Sequence, residues 1–280
     1  MLPLKTFGSR LILAFNIALL CACSAPERIS VSGSTTVLPA VSRAAEQFTL
    51  NTGQSVTVNA GGSGSGFNQL AQGQTDIGMM SRDITAGERA DFPDKNFRPI
   101  AIGRDAVVPV VSSEIYDAGV TALSLSEIAS IYTGGITNWS ELGGPDVNIF
   151  VIDKEASSGT RQSFMEVVAG DPKAEAPAAD LIVGSNNEEQ TALSQSNAAI
   201  GMLSIAWLNA DVKGLSIKTK TGQIEPTLEN VSFGHYPITR DLNIVVRSDI
   251  SPPAQAFVDY LLSPEGQNFV QRSGYIKAAP

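Results

Sequence analysis

Three times along this chain a short apolar segment runs into a turn of glycine and hydroxyl residues and then into an amphipathic stretch. The segments read "SGSTTVLP" at 32–39, "GGSGSGF" at 61–67 and "ASSGTRQSF" at 156–164. A helix leaves its first N–H groups without partners inside it and carries partial positive charge at that end. Glycine lets backbone come close to an oxyanion, and Ser and Thr add rotatable donors. One such turn is an ordinary helix cap. Three of them, each after a strand, predict an α/β chain whose helix starts can surround one anion.

The surrounding pattern agrees. "RISVSG" and "SVTVNA" read as strands, the latter alternating Val56 and Val58. "PAVSRAAEQFTL" places Val41, Ala45 and Phe48 on one helical face, with Pro39 near the first turn. "SLSEIASIYTG" predicts a helix with a Ser cap, and "TRQSFMEVVAG" one ended by Gly170. "PAQAFVDYLLS" and "PEGQNFVQRSG" predict closing helices. Two longer extended runs, "IAIGRDAVVPVVSS" and "YPITRDLNIVVR", predict two crossings between lobes. With the first crossing placed near Val110, one lobe comprises 23–109 and 239–280, and the other 110–238. Clefts of this kind close on a ligand by hinge motion.

The first residues have a different logic. Lys5 and Arg10 precede the apolar run "LILAFNIALLCA", which is shorter than the ~20 residues that cross a bilayer. The run ends in "LCAC", like a bacterial lipobox. Residues 1–22 therefore predict a lipoprotein signal peptide, with Cys23 the lipidated residue. The alternative is an ordinary cleaved signal with two incidental cysteines. Several acyl chains on Cys23 would hold the body at a membrane, extracytoplasmically. The net charge of −9 becomes more negative by two once Lys5 and Arg10 leave. Such a surface argues against nucleic acid as a partner, because a phosphate backbone demands excess Lys and Arg.

The turn at 156–164 could supply a nucleophile or a cradle. No P-loop or dinucleotide fingerprint is present, and "GGSGSG" misses the G-x-S-x-G frame by one place. A catalytic serine needs a base, and His235 in "SFGHYP" is the sole histidine. No His/Cys/carboxylate group has metal-ligand spacing. Ser158 therefore reads as a donor, with no catalytic residue, metal or cofactor expected.

"GSTTVLP", "GGSGSGFNQL", "TDIGMMSRDI", "IYTGGITNWSELGG", "ASSGTRQSF", "AAIGMLSIAWL", "YPITRDL" and "SPEGQNFVQRSGYIK" occur in that order. The set resembles the phosphate-binding proteins of bacterial Pst-type ABC transporters over nearly all of the mature chain. The resemblance implies a two-lobed type II periplasmic binding protein fold with two hinge crossings. It also implies capture of inorganic phosphate for a membrane permease. Site residues implied are Ser34, Thr35 and Thr36 at the first helix start, Ser63 and Ser65 at the second, and Ser158, Gly159 and Thr160 at the third.

Two positions depart from the family pattern. Four residues before the Ser, where the family commonly has Arg, stands Lys154, which keeps the charge but lacks the bidentate fork. Where some members place an Asp that accepts the phosphate proton, gapless counting gives Ser81, with Asp83 an alternative. If Ser81 occupies that place, Asp83, Asp153 or Glu155 is left as acceptor, or discrimination against sulfate weakens. Arg82 then becomes a candidate anion partner, against a surface pair with Asp83. A phosphatase-like enzyme on the same scaffold, a binder of another oxyanion and a phosphate-sensing regulator remain alternative readings.

Overall fold

The structure, a computed structural model, describes residues 28–278. The expected signal peptide and Cys23 lie outside the described residues. No helix among those described is long and apolar enough to cross a membrane.

The chain opens with β1 (Ile29–Gly33), α1 (Leu38–Thr52), β2 (Val56–Ala60), α2 (Ser63–Ala71), β3 (Ile77–Met80) and the short α3 (Ala86–Ala90). The long β4 (Phe97–Ser112) follows, then α4 (Ser113–Asp117), β5 (Ala122–Ser124) and α5 (Leu125–Thr133). Next come β6 (Phe150–Lys154), α6 (Gly159–Ala169), β7 (Leu181–Val183), α7 (Asn186–Ser194) and β8 (Ala199–Ser204). Three short strands, β9 (Val212–Gly214), β10 (Ser216–Thr219) and β11 (Gly222–Ile224), lead to α8 (Leu228–Ser232). β12 (Thr239–Arg247), α9 (Pro252–Leu262), α10 (Pro264–Arg272) and β13 (Ile276–Lys277) complete it.

Local chemistry explains these elements. On α1 the residues Val41, Ala45 and Phe48 are buried together, as their spacing predicts. Ser124 and Glu127 form a reciprocal capping box at the start of α5. α2 lies so close to β1 that a Cβ on Gly66 would stand 2.6 Å from the Gly33 Cα, so Gly66 is what permits that approach. Trp139 is fully buried in a short 3-10 turn, and its Nε1 donates to the Ala198 carbonyl at 2.8 Å.

The main sheet runs β2-β1-β3-β12-β4-β8-β6-β7, with β9 and β13 added on β4. β1 is parallel to β2 and β3, whereas β12 is antiparallel to both β3 and β4. β4 changes partner along its length. From Phe97 to Ala106 it pairs with β12, and from Val107 to Val111 with β8. The apolar packing changes at the same place. One cluster draws on Ile29 through Ile102 and returns at Leu242. The other draws on Ala106 through Ile238. Val107 and Val108, expected in the first lobe, pack in the second cluster, because β4 has exchanged β12 for β8 there.

Candidate functional site

The three glycine and hydroxyl turns meet. At the start of α1, Thr36 Oγ1 lies 3.2 Å from Thr160 Oγ1 at the start of α6. The Gly64 amide, in the first turn of α2, donates to the Ser157 carbonyl at 3.0 Å. Ser63 Oγ reaches Ser81 Oγ at 3.3 Å and accepts from the Ser81 amide at 3.1 Å. Gly159 fits against both hydroxyls: a Cβ there would stand 2.2 Å from Ser63 Oγ and 2.7 Å from Ser81 Oγ. The hydroxyls at the starts of α1 and α6 thus meet, and the start of α2 packs against that of α6.

A fourth helix start joins them. Asn186 opens α7, and its Nδ2 donates to Thr36 Oγ1 at 2.9 Å. The sequence signal is present in "GSNNEEQ", where Ser185 caps the helix by accepting from the Glu188 amide. It lacks the glycine and hydroxyl density of the other turns, so pattern reading passed over it.

The charge at the centre also escaped sequence reasoning. Arg240, on β12, donates through Nη1 to Thr160 Oγ1 at 3.0 Å and through Nη2 to Thr36 Oγ1 at 3.2 Å. Its Nε and Nη2 both bond Asp105 Oδ2, at 3.0 and 2.7 Å. Of the five N–H donors of a guanidinium, one on Nη1 is left for a guest. Asp105 and Arg240 face each other as register partners on β4 and β12. Asp105 also accepts from Ser204 Oγ at 2.8 Å. Burial pushes the Asp105 carboxyl up, and the Arg240 charge opposes that shift. The Arg in "YPITRDL" and the Asp in "GRDAVV" are 135 residues apart, so only the strand pairing brings them together.

The remaining predicted residues divide. Thr35 is half-buried in the turn before α1. Ser34 and Ser158 are buried and cap: Ser34 Oγ accepts from the Thr36 and Val37 amides, and Ser158 Oγ from the Arg161 amide. Ser65 lies along α2 and accepts from Gln69 Nε2 at 3.0 Å, away from the hydroxyl cluster.

The charged candidates are placed as follows. Arg82 is not a surface pair with the Asp83 side chain, though it lines the cleft described below. It is buried and bidentate to Glu88 at 2.7 and 2.8 Å, because the capping box of α3 brings that carboxylate back over it. Asp83 is exposed and lies on the wall of the cleft described below. Lys154 is buried, with its ammonium on Glu189 and on the Ser185 carbonyl. Glu189 is pushed up by burial and held down by Lys154. The carboxylates left as proton acceptors fare no better. Asp153 is gripped by Arg161 Nε through both oxygens, at 2.9 and 3.0 Å, and Glu155 is exposed.

Beside this cluster opens a cleft of about 310 Å³, walled by Arg82, Thr85, Gln162, Ser163, Glu166 and Arg240 among others. No group of three or more His, Cys, Asp or Glu residues is arranged to hold a metal among the described residues.

Residues 22–265 match the PBP superfamily domain. The phosphate-binding protein PstS of Bacillus subtilis (strain 168) is 34% identical over 251 residues, spanning 89% of this chain and 80% of that protein. This chain belongs to the PstS family. A solved structure with bound phosphate from Clostridium perfringens, assigned as a phosphate ABC transporter substrate-binding protein, superposes with a TM-score of 0.82. It is 31% identical, and the match covers 90% of this chain and 100% of that one. An ABC-type phosphate transport receptor from Vibrio cholerae gives a TM-score of 0.72 at 30% identity, covering 89% and 100%. The PstS-family fold is α/β, of the two-lobed type II periplasmic binding class. In this PstS-family member Arg240 stands where the two apolar clusters meet and touches a helix start from each.

Proposed function

We propose that this chain binds inorganic phosphate between its two apolar clusters and delivers it to the permease of an ABC transporter. One observation carries the reading. The starts of α1 and α6 meet on a guanidinium with an N–H to spare, and those of α7 and α2 adjoin them. Preorganised amides, hydroxyls and one Arg suit a small tetrahedral oxyanion. The names of the PstS relatives and the phosphate in the Clostridium structure support the same ligand.

On this reading the two clusters are the lobes, and they pivot where β4 and β12 pass between them. The hinge lies at 102–106 and 238–242, so residues 106–238 move as one lobe against the rest. The ligand is bound and released with no bond made or broken, and no cofactor takes part. Stripping the protein of anion and titrating it with phosphate by calorimetry is expected to give one site per chain. Scattering at small angles should show compaction on binding. Absence of a saturable phosphate site overturns the reading.

The chain is held outside the cytoplasm by lipid on Cys23. Wild-type protein expressed in bacteria is expected in the membrane fraction, and Cys23→Ser in the soluble extracytoplasmic fraction. Equal partition of both sinks the anchor.

A further inference from the structure

We propose that the side-chain oxygen of Asn186 accepts the proton of a protonated oxyanion and so selects hydrogen phosphate over sulfate. This inference rests on the phosphate reading above. Near neutral pH phosphate carries a proton and sulfate does not, so a buried acceptor distinguishes the two.

Asn186 is fully buried, and its Oδ1 meets no donor of the protein. The other end of the same planar amide sits on Thr36 Oγ1. A buried carbonyl oxygen without a donor carries a desolvation penalty. A guest that brings its own hydrogen relieves that penalty, and one that presents only lone pairs adds to it.

With Nδ2 of Asn186 on Thr36, counting hydrogens gives the direction of the network. A hydroxyl has two acceptor lone pairs and one donor hydrogen. Thr36 Oγ1 accepts from Asn186 Nδ2 and from Arg240 Nη2, which fills both lone pairs. Its hydrogen is therefore given to Thr160 Oγ1. Thr160 accepts that hydrogen and one from Arg240 Nη1, so its own hydrogen points out toward a guest. With the Asn186 amide reversed, Thr36 would give its hydrogen to Asn186, Thr160 would give its own to Thr36, and Nδ2 would face the guest as a donor; the variants below separate the two orientations.

The carboxylates buried around the hydroxyl cluster are committed. Asp105 is held by Arg240 and Ser204, Asp153 by Arg161, and Glu189 by Lys154 and the Met202 amide. Asp83 and Glu166 wall the neighbouring cleft, and Glu155 is exposed. Asn186 Oδ1 is the buried acceptor that this hydroxyl cluster leaves open.

The test compares phosphate and arsenate, both protonated, with sulfate, read by competition. In Asn186→Ala, phosphate and arsenate are expected to weaken about tenfold while sulfate holds or tightens, so the phosphate-to-sulfate ratio falls about tenfold. In Asn186→Asp, which keeps an acceptor, the ratio is expected to equal or exceed that of the wild type. Equal losses for all three anions in Asn186→Ala would mean that the amide donates to the guest or merely props Thr36, and they overturn the proposal. If the Ala variant does not fold, the Asp variant decides: a ratio below wild type overturns it. Wild-type protein that binds no phosphate defeats the functional reading and this inference together. Wild-type binding with an unchanged variant ratio defeats this inference alone.

Discussion

Arg240→Ala is expected to weaken phosphate binding by roughly 100-fold and to lower the stability of the chain by about 3–5 kcal/mol. Both effects come from one geometry. The guanidinium links Thr36 to Thr160, and among the described residues it is the counter-charge paired with Asp105, which is fully buried. Removing it deprives the guest of a charge-assisted donor and leaves a carboxylate in the interior without a partner. A double variant, Arg240→Met with Asp105→Leu, separates the two. Denaturant unfolding should show most of the stability restored, because apolar groups of similar size replace the pair. Calorimetry should show phosphate affinity still lost. Recovery of affinity along with stability would mean that Arg240 acts as a structural prop and not on the ligand.

Gly159→Ala is expected to weaken phosphate binding by roughly 100-fold while leaving the melting temperature close to wild type. A Cβ at 2.2 Å from Ser63 Oγ and 2.7 Å from Ser81 Oγ lies well inside van der Waals contact. Gly159 belongs to the second cluster's side of the cleft and Ser63 to the first. The clash therefore arises only when the two sides approach, and an open form accommodates the methyl group. Adding Ser63→Gly should return part of the affinity. A Gly159→Ala protein that binds phosphate as tightly as wild type would show that the two sides need not meet this closely.

Much of the fold could be read from the sequence because its signals are local. The Val41, Ala45, Phe48 stripe, the Ser124 cap and the long β-branched run of β4 each lie within one element. The site was legible as far as its local part went: three of its four helix starts carry glycine and hydroxyl turns. What could not be read depends on distant residues meeting. Arg240 and Asp105 become partners only through the β4–β12 register, and Asn186 finds Thr36 across 150 positions. Arg82 and Lys154 misled for the converse reason. Each is a cation next to a recognisable turn, yet each is captured by a carboxylate, Glu88 and Glu189, that its turn does not contain. A resemblance of motifs places a residue along the chain but says nothing of which neighbour reaches it first.

The pairing of each cation around the hydroxyl cluster has a consequence for ionic strength. Arg240, Arg161 and Lys154 are each matched by a carboxylate within the interior. A guest anion is therefore retained by short-range dipoles and bonds in a volume that mobile ions do not enter, and its escape rate should barely respond to added electrolyte. Its arrival is a different matter. The acidic exterior repels anions over a Debye length of about 10 Å at moderate salt, so electrolyte should quicken capture without loosening the grip.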